Sequence, residues 1–341
     1  MNATRRTALS LAAGALAAPA ILRASGPYAA LAAYSAMRDG VSLIVERAGR
    51  TLFEDYPAPG GPDQAWELAS GTKSFCGLIA AALVQDRLLN LDELCAGTLP
   101  EWHGDARKGL ITVRQLLSLT SGIDGRGGRR LGAVPAYADA IAEPALADPG
   151  VRFSYGAVPF QIFGEIVRRK LAAARTGDAD PLAYLQRRLF TPLGVRPQRW
   201  RRGADGMPHL PSGAALTARG WARVGRFVRD GGRVAGRALV DPAALADNFR
   251  TTSVNPGYGL TWWIPGPGMQ GPGLRAGIAA DASRLAPAGS VRMAAGAGNQ
   301  RLYILPARDL VVVRQATGVL RALRGGAPDW SDADFLALLP A

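Results

Sequence analysis

Ser70-Gly71-Thr72-Lys73-Ser74-Phe75-Cys76-Gly77-Leu78-Ile79 holds a residue type that is otherwise almost missing from this chain. Of its 40 Lys and Arg residues, only Lys73, Lys108 and Lys170 are lysine. The other positive charges are arginine, which keeps its proton at any usable pH, whereas a desolvated lysine gives its proton up. A lysine three residues after a serine, at the head of an apolar segment, is a candidate general base beside a candidate nucleophile. Coincidental spacing is the alternative, and the neighbouring residues decide between the two.

Leu78, Ile79, Leu83 and Val84, interleaved with alanines, predict a helix from Thr72 to about Gln85. It is apolar nearly all round, and a helix of that kind is buried. Its polar groups, Ser70, Thr72, Lys73 and Ser74, crowd into the first turn. Residues three apart on a helix lie on one face, about 5–6 Å apart between β-carbons, so the amine reaches the hydroxyl. The helix N-terminus adds free N–H groups and partial positive charge. Burial and that dipole both pull the lysine pKa down, toward a neutral amine able to take the serine proton.

At 341 residues the chain has room for one large domain or two interleaved ones with ample core. Hydrophobic content of 48% and charged content of 20% are ordinary for a globular protein, so neither disorder nor a membrane array is expected. The formal charge of +13 raises the question of nucleic acid. The arginines are scattered, however, with only short clusters such as Arg129-Arg130 and Arg201-Arg202, and no zinc-finger, RNP-like or P-loop pattern accompanies them. No nucleic-acid partner is expected.

The first residues have the pattern of export. Arg5-Arg6 precede an apolar run from Ala8 to Leu22, with Ala18-Pro19-Ala20 as a small-residue cleavage site. Thr4-Arg5-Arg6-Thr7-Ala8-Leu9 is a weak twin-arginine pattern. Residues 1–25 are therefore expected to be an export signal, with a periplasmic or secreted product and no stable membrane insertion after its removal. An amphipathic N-terminal helix is the alternative. Cys76 and Cys95 are the two cysteines; they form either a disulfide in an oxidising compartment or two buried free thiols.

Tyr28 to Arg38 reads as a helix, and Val41–Arg47 with Arg50–Tyr56 as a hairpin around Ala48-Gly49. The stretch from the Ser70 helix to about Gly231 is mostly helical, broken by loops at Gly122–Gly132 and Arg201–Ser212. Tyr258–Ile264, Val291–Ala295, Arg301–Leu305 and Leu310–Gln315 read as strands, and Asp329 or Ser331 caps a last helix through Leu338. The expected class is α+β. One antiparallel sheet is built from residues 26–69 and 232–341, and a mostly helical part, residues 70–231, is inserted into it. Ser70 falls where the two parts meet, a usual place for an active site.

Further segments join the Ser70 motif in order: Glu67-Leu68-Ala69-Ser70-Gly71-Thr72-Lys73-Ser74-Phe75, Leu89-Asn90-Leu91-Asp92-Glu93 and Ile111 to Ile123. Then come Pro149-Gly150-Val151-Arg152-Phe153-Ser154-Tyr155, Tyr258-Gly259-Leu260-Thr261-Trp262-Trp263, Gln300 to Pro306 and Leu310-Val311-Val312-Val313. Together they resemble the serine β-lactamase and penicillin-binding-protein superfamily. The likeness is to the branch of class C β-lactamases, DD-peptidases, family VIII esterases and 6-aminohexanoate-dimer hydrolases. The resemblance implies a β-lactamase/transpeptidase-like fold, with Ser70 as the acylated nucleophile and Lys73 as its base. It implies that Tyr155, matching the tyrosine of the Tyr-x-Asn motif, moves protons between nucleophile and leaving group. A half-buried core tyrosine is the alternative.

Two positions depart from the family pattern. Ala157 stands where the asparagine of Tyr-x-Asn is expected, and the third motif, usually Lys-Thr-Gly or His-x-Gly, aligns with Ala294-Ala295-Gly296. Alanine supplies neither the amide nor the cation that hold a penicillin-type substrate. An ester or amide hydrolase is thus expected ahead of a β-lactamase or DD-peptidase, with a non-catalytic ligand-binding relative as a third possibility. The resemblance implies an oxyanion hole from the backbone N–H groups of Ser70 and Ala297; the register Gly296-Ala297-Gly298 moves the second donor to Asn299. Gly296, Asn299 and Trp262 are expected to contact a small ester, amide or peptide-like substrate, with a core role as the alternative for Trp262 and Trp263. His103 and His209 are the two histidines, and neither His-Glu-x-x-His nor Gly-x-Ser-x-Gly occurs. No metal or cofactor is expected.

Overall fold

A computed structural model describes residues 26–271, 282–285, 291–326 and 328–340 of the chain. The expected export signal, residues 1–25, lies outside the described residues. Ten strands occur among them: β1 (Gly40–Arg47), β2 (Arg50–Asp55), β3 (Ala65–Glu67), β4 (Arg199–Trp200), β5 (Ala214–Thr217), β6 (Arg233–Val234), β7 (Arg237–Ala238), β8 (Arg292–Gly296), β9 (Gln300–Leu305) and β10 (Leu310–Ala316).

The main sheet has the order β2-β1-β10-β9-β8, every pair antiparallel. The two ends of the chain therefore meet as β1 and β10, with Val45 opposite Val312. All seven residues of β10 and all six of β9 are buried, as a sheet covered on both faces requires. On one face lies the helix Ala218–Arg229. A β-carbon on its Gly225 would come within 2.6 Å of Val311 and 2.7 Å of Leu302, so the helix packs almost flush on the sheet. On the other face lie the helices Ala29–Ala36 and Asp332–Ala337, where Tyr303 stacks on Phe335. Ser331 caps the last helix by accepting from the Asp334 N–H.

Three expectations need correction. The Ser70 helix begins as a 3₁₀ turn, Ala69–Lys73, and becomes α-helical only from Ser74 to Gln85. Tyr258–Ile264 is no strand: Thr261 takes φ +76°, which breaks the pleat, and only the bridges Tyr258–Trp263 and Trp263–Met293 remain. Finally, the single expected sheet is joined by smaller ones among the described residues, and the mostly helical middle of the chain contributes strands to one of them. Strands β4 and β5 pair with β3 in a small sheet of order β3-β5-β4, whose members are two to four residues long and too short to show alternation. Among the described residues no helix is long and apolar enough to cross a membrane.

Candidate functional site

Strand β3 leads through Leu68 into Ala69, which takes φ +46°, a conformation that a side chain with a β-carbon rarely adopts. This kink directly precedes Ser70 and turns the chain from the small sheet into the 3₁₀ turn. A 3₁₀ turn has about three residues per turn, so side chains at i and i+3 eclipse. Lys73 consequently stands directly over Ser70, and its Nζ lies 3.0 Å from Ser70 Oγ. Ser70 itself is only half-buried and remains reachable.

Lys73 is buried, with 5% of its surface exposed. Its amine donates to the Pro211 carbonyl at 3.1 Å and sits 4.9 Å from the Tyr155 ring centre and 5.5 Å from that of Phe160. None of these groups carries a full negative charge. Desolvation therefore dominates and pulls the lysine pKa down to about 7, with the Cys76 thiol one turn on as a small opposing influence. An amine that is neutral in about half of the molecules at pH 7, in contact with an alcohol, can accept that alcohol's proton.

Tyr155 reaches the same spot from a loop clamped against the Gly122–Gly132 segment. Gly125 N–H donates to Ser154 Oγ at 2.9 Å, and Val158 N–H donates to the Gly125 carbonyl at 2.9 Å. The two chains run so close that a β-carbon on Gly156 would lie 1.9 Å from the Gly125 oxygen. Loss of water pushes the Tyr155 phenol up to about 12, while hydrogen bonding with the Ser70 side chain and the charge of Arg301 pull the other way. Its ring stacks on Trp263 at 5.4 Å, within a cluster that includes Phe153 and Tyr258. Ser70, Lys73 and Tyr155 are thus gathered at one point.

The end of β8 closes the other side. A β-carbon on Gly296 would come within 2.1 Å of the Leu68 oxygen and 3.1 Å of the Gly71 nitrogen, so only glycine lets this strand approach the Ser70 turn. Met293 exchanges both backbone hydrogen bonds with Trp263 and so points its polar groups away from β9. By the alternation of an antiparallel ladder, the N–H group of Ala295 points outward in the same direction, and Ala297 follows in the turn directly after Gly296. The Ser70 N–H, in the first turn of its helix, has no partner within that turn.

Two expected substrate contacts are corrected. Trp262 has no exposed surface and packs edge-on against Phe249 in the core, directly after the left-handed Thr261. Trp263 is the one that meets Tyr155. Asn299 sits in the β8–β9 turn with φ +60°, and its amide donates to the Pro328 carbonyl, so its side chain is turned from Ser70. Cys76 and Cys95 are free, buried thiols, which burial holds in the neutral form. His103 contacts the Ala96 carbonyl, and the His209 backbone oxygen accepts from the Trp200 indole; both are structural.

Two groups escaped the sequence. Pro211, from the Arg201–Ser212 loop, contributes only a backbone oxygen, which any residue type supplies. Arg301 is a buried cation in an arginine-rich chain, paired with the fully buried Asp332 at 2.7 Å.

Comparison with known proteins bears on the family and the fold. The chain is 30% identical over 94 residues to Protein flp of Staphylococcus aureus strain NCTC 8325, a stretch covering 25% of this chain and 19% of that protein. Less than a fifth of the curated relative is thus spanned. Among solved structures, EstCE1, a hydrolase with promiscuous acyltransferase activity, superposes with a TM-score of 0.66 at 16% identity, covering 91% of this chain and 96% of that one. A penicillin-binding protein homolog from Caulobacter crescentus gives 0.65 at 19% identity, covering 89% and 96%. At such identities the likeness speaks for the fold alone. The Beta-lactamase family model matches residues 29–334. This chain belongs to the Beta-lactamase family.

Proposed function

We propose that the protein is an exported serine hydrolase that cleaves a carboxylic ester or amide through an acyl-enzyme on Ser70. The observation that carries this is the 3.0 Å contact between Ser70 Oγ and a buried lysine amine whose second partner is a neutral carbonyl. Lys73, with Tyr155 beside it, takes the Ser70 proton as Oγ attacks the substrate carbonyl. The N–H groups of Ser70 and Ala297 hold the oxyanion. Tyr155 returns the proton to the leaving group, and water then attacks the acyl-enzyme to release the acid.

An ester or amide is favoured over a β-lactam because Ala157 and Ala294 stand at the two positions that would grip a penicillin-type amide and carboxylate. Alanine leaves those substrate groups without partners, and a site built on polar contacts loses far more from a missing partner than from a missing methylene. The test is a fluorophosphonate probe together with two chromogenic substrates. Labelling is expected at Ser70 and absent in Ser70→Ala, with p-nitrophenyl butyrate hydrolysed and nitrocefin barely touched. A folded wild-type protein that does not label is a ligand-binding relative. Rapid nitrocefin turnover would overturn the ester and amide assignment.

A further inference from the structure

On the proposed reading, the Ala297 N–H holds the oxyanion. That N–H belongs to the same peptide unit as the Gly296 carbonyl. Arg301, on the neighbouring strand β9, donates from Nη1 to the Gly296 oxygen at 3.2 Å and to the Gln300 oxygen at 3.1 Å. We propose that Arg301 is a positioning residue that polarises the Gly296–Ala297 peptide and so strengthens the Ala297 N–H as an oxyanion donor.

The physical basis is peptide resonance. A cation donating to the carbonyl oxygen draws electron density from the nitrogen and leaves its hydrogen more positive. Arg301 and its partner Asp332 are buried, with side-chain exposures of 3% and 0%, so water screens this effect little. Register places Arg301 opposite Ala295 and on the face that carries Tyr303 and the Asp332 helix. Gly296, the next residue along β8, turns the side on which a side chain would stand toward Leu68 and the Ser70 turn, on the opposite face. Arg301 therefore acts through the backbone and does not touch the substrate. The third motif has alanine at 294 in place of a cation, and Arg301 brings a positive charge to the same strand end from the sheet's far side.

The surroundings hold this arrangement rigid. Asp332 accepts from Arg301 Nε at 2.7 Å, from the Trp330 indole at 2.8 Å and from the Tyr303 hydroxyl at 2.5 Å. Arg314 lies directly opposite Arg301 on β10 and donates to the Gly298 and Asn299 carbonyls at 3.3 and 2.8 Å. The whole β8–β9 turn is thus gripped by two guanidinium groups through its oxygens. Stability alone gives no reason for this chemistry, because apolar replacements for a buried ion pair are often neutral or stabilising. The Arg301 charge also reaches Tyr155 and opposes the rise in its pKa.

The test reads the acyl carbonyl itself. Wild type is acylated with carbon-13-labelled p-nitrophenyl trimethylacetate, whose bulky acyl group slows release, and the labelled carbonyl band is recorded by infrared difference spectroscopy. A strong oxyanion hole lowers that band. In Arg301→Lys the band is expected at higher wavenumber, with kcat/KM down roughly tenfold and KM changed less than about twofold. The pair Arg301→Met with Asp332→Asn removes both charges while keeping an acceptor for Tyr303 and Trp330, and it is expected to show the same shift if the lysine variant does not fold. A folded variant with the band unmoved overturns the role of Arg301 alone. Wild type that forms no acyl-enzyme on Ser70 overturns the hydrolase proposal and this one with it.

Discussion

The Lys73 amine donates to the Pro211 carbonyl at 3.1 Å, so the group that holds the candidate base in place is neutral backbone and not a carboxylate. A carboxylate would keep the lysine charged; a carbonyl orients it without restoring the lost hydration. This contact places the base and leaves it able to be neutral, and the pH behaviour of the protein follows from it.

Activity is expected to rise with pH along one limb centred near pH 7, where Lys73 loses its proton. Above it kcat/KM should stay level, because Tyr155 keeps its proton until about 12. The pH profile of kcat/KM on p-nitrophenyl butyrate checks this, and a limb centred above about pH 9 speaks against a desolvated base.

Stability should show the same group with the opposite emphasis. Lys73 titrates near 7 when folded and at its ordinary 10.5 when unfolded, so between those values the unfolded chain binds more protons. The cost of burying the charge is full below about 7 and fades as pH rises toward 10.5. Lys73→Met removes that cost. Its gain in melting temperature over wild type should be larger at about pH 6 than at about pH 9.5. An equal gain at both would mean that the amine is not buried as described.

Arginine cannot replace lysine here despite the conserved charge. Lys73→Arg is expected to lose about 10³-fold or more in kcat/KM, comparable to Ser70→Ala, because the guanidinium stays protonated. Near-wild-type turnover by the arginine variant would remove Lys73 from the proton-accepting role.

Tyr155→Phe retains the stack on Trp263 and loses only the hydroxyl. A fall of roughly 10²- to 10³-fold in kcat with a nearly unchanged melting temperature is expected. A drop in stability matched by little change in kcat would assign the ring a core role.

Gly296→Ala places a methyl group 2.1 Å from the Leu68 oxygen, and backbone cannot step aside as a side chain does. The variant is expected to lose about 1–3 kcal/mol of stability and most of its activity, since β8 must retreat from the Ser70 turn. Full activity with an unchanged urea midpoint would show that the strand end does not press on that turn.

Much of this architecture was legible in the sequence, for identifiable reasons. Lys73 stood out because lysine is scarce in the chain, and the apolar run from Phe75 to Leu83 announced a buried helix. The hairpin of β1 and β2 was marked by Ala48-Gly49, both of which take positive φ. Tyr155 emerged only from the resemblance, since a single tyrosine before a helix carries no signal of its own. Trp262, expected to contact the substrate or else to sit in the core, is in the core; Tyr258–Ile264 looks like a strand, and the left-handed Thr261 in it leaves no mark in composition. Arg301 and Arg314 were invisible for a different reason. Strands β9 and β10 are buried at every position, so they show no alternation that would place an arginine inside.

The scarcity that singled out Lys73 also makes its protonation directly measurable. With three lysines in the chain, a protein carrying carbon-13 at lysine Cε gives a spectrum of three side-chain signals. The Lys73 signal is identified by its absence from Lys73→Arg. Its titration midpoint is expected near pH 7; a midpoint at the ordinary lysine value of 10.5 would contradict a neutral amine beside Ser70.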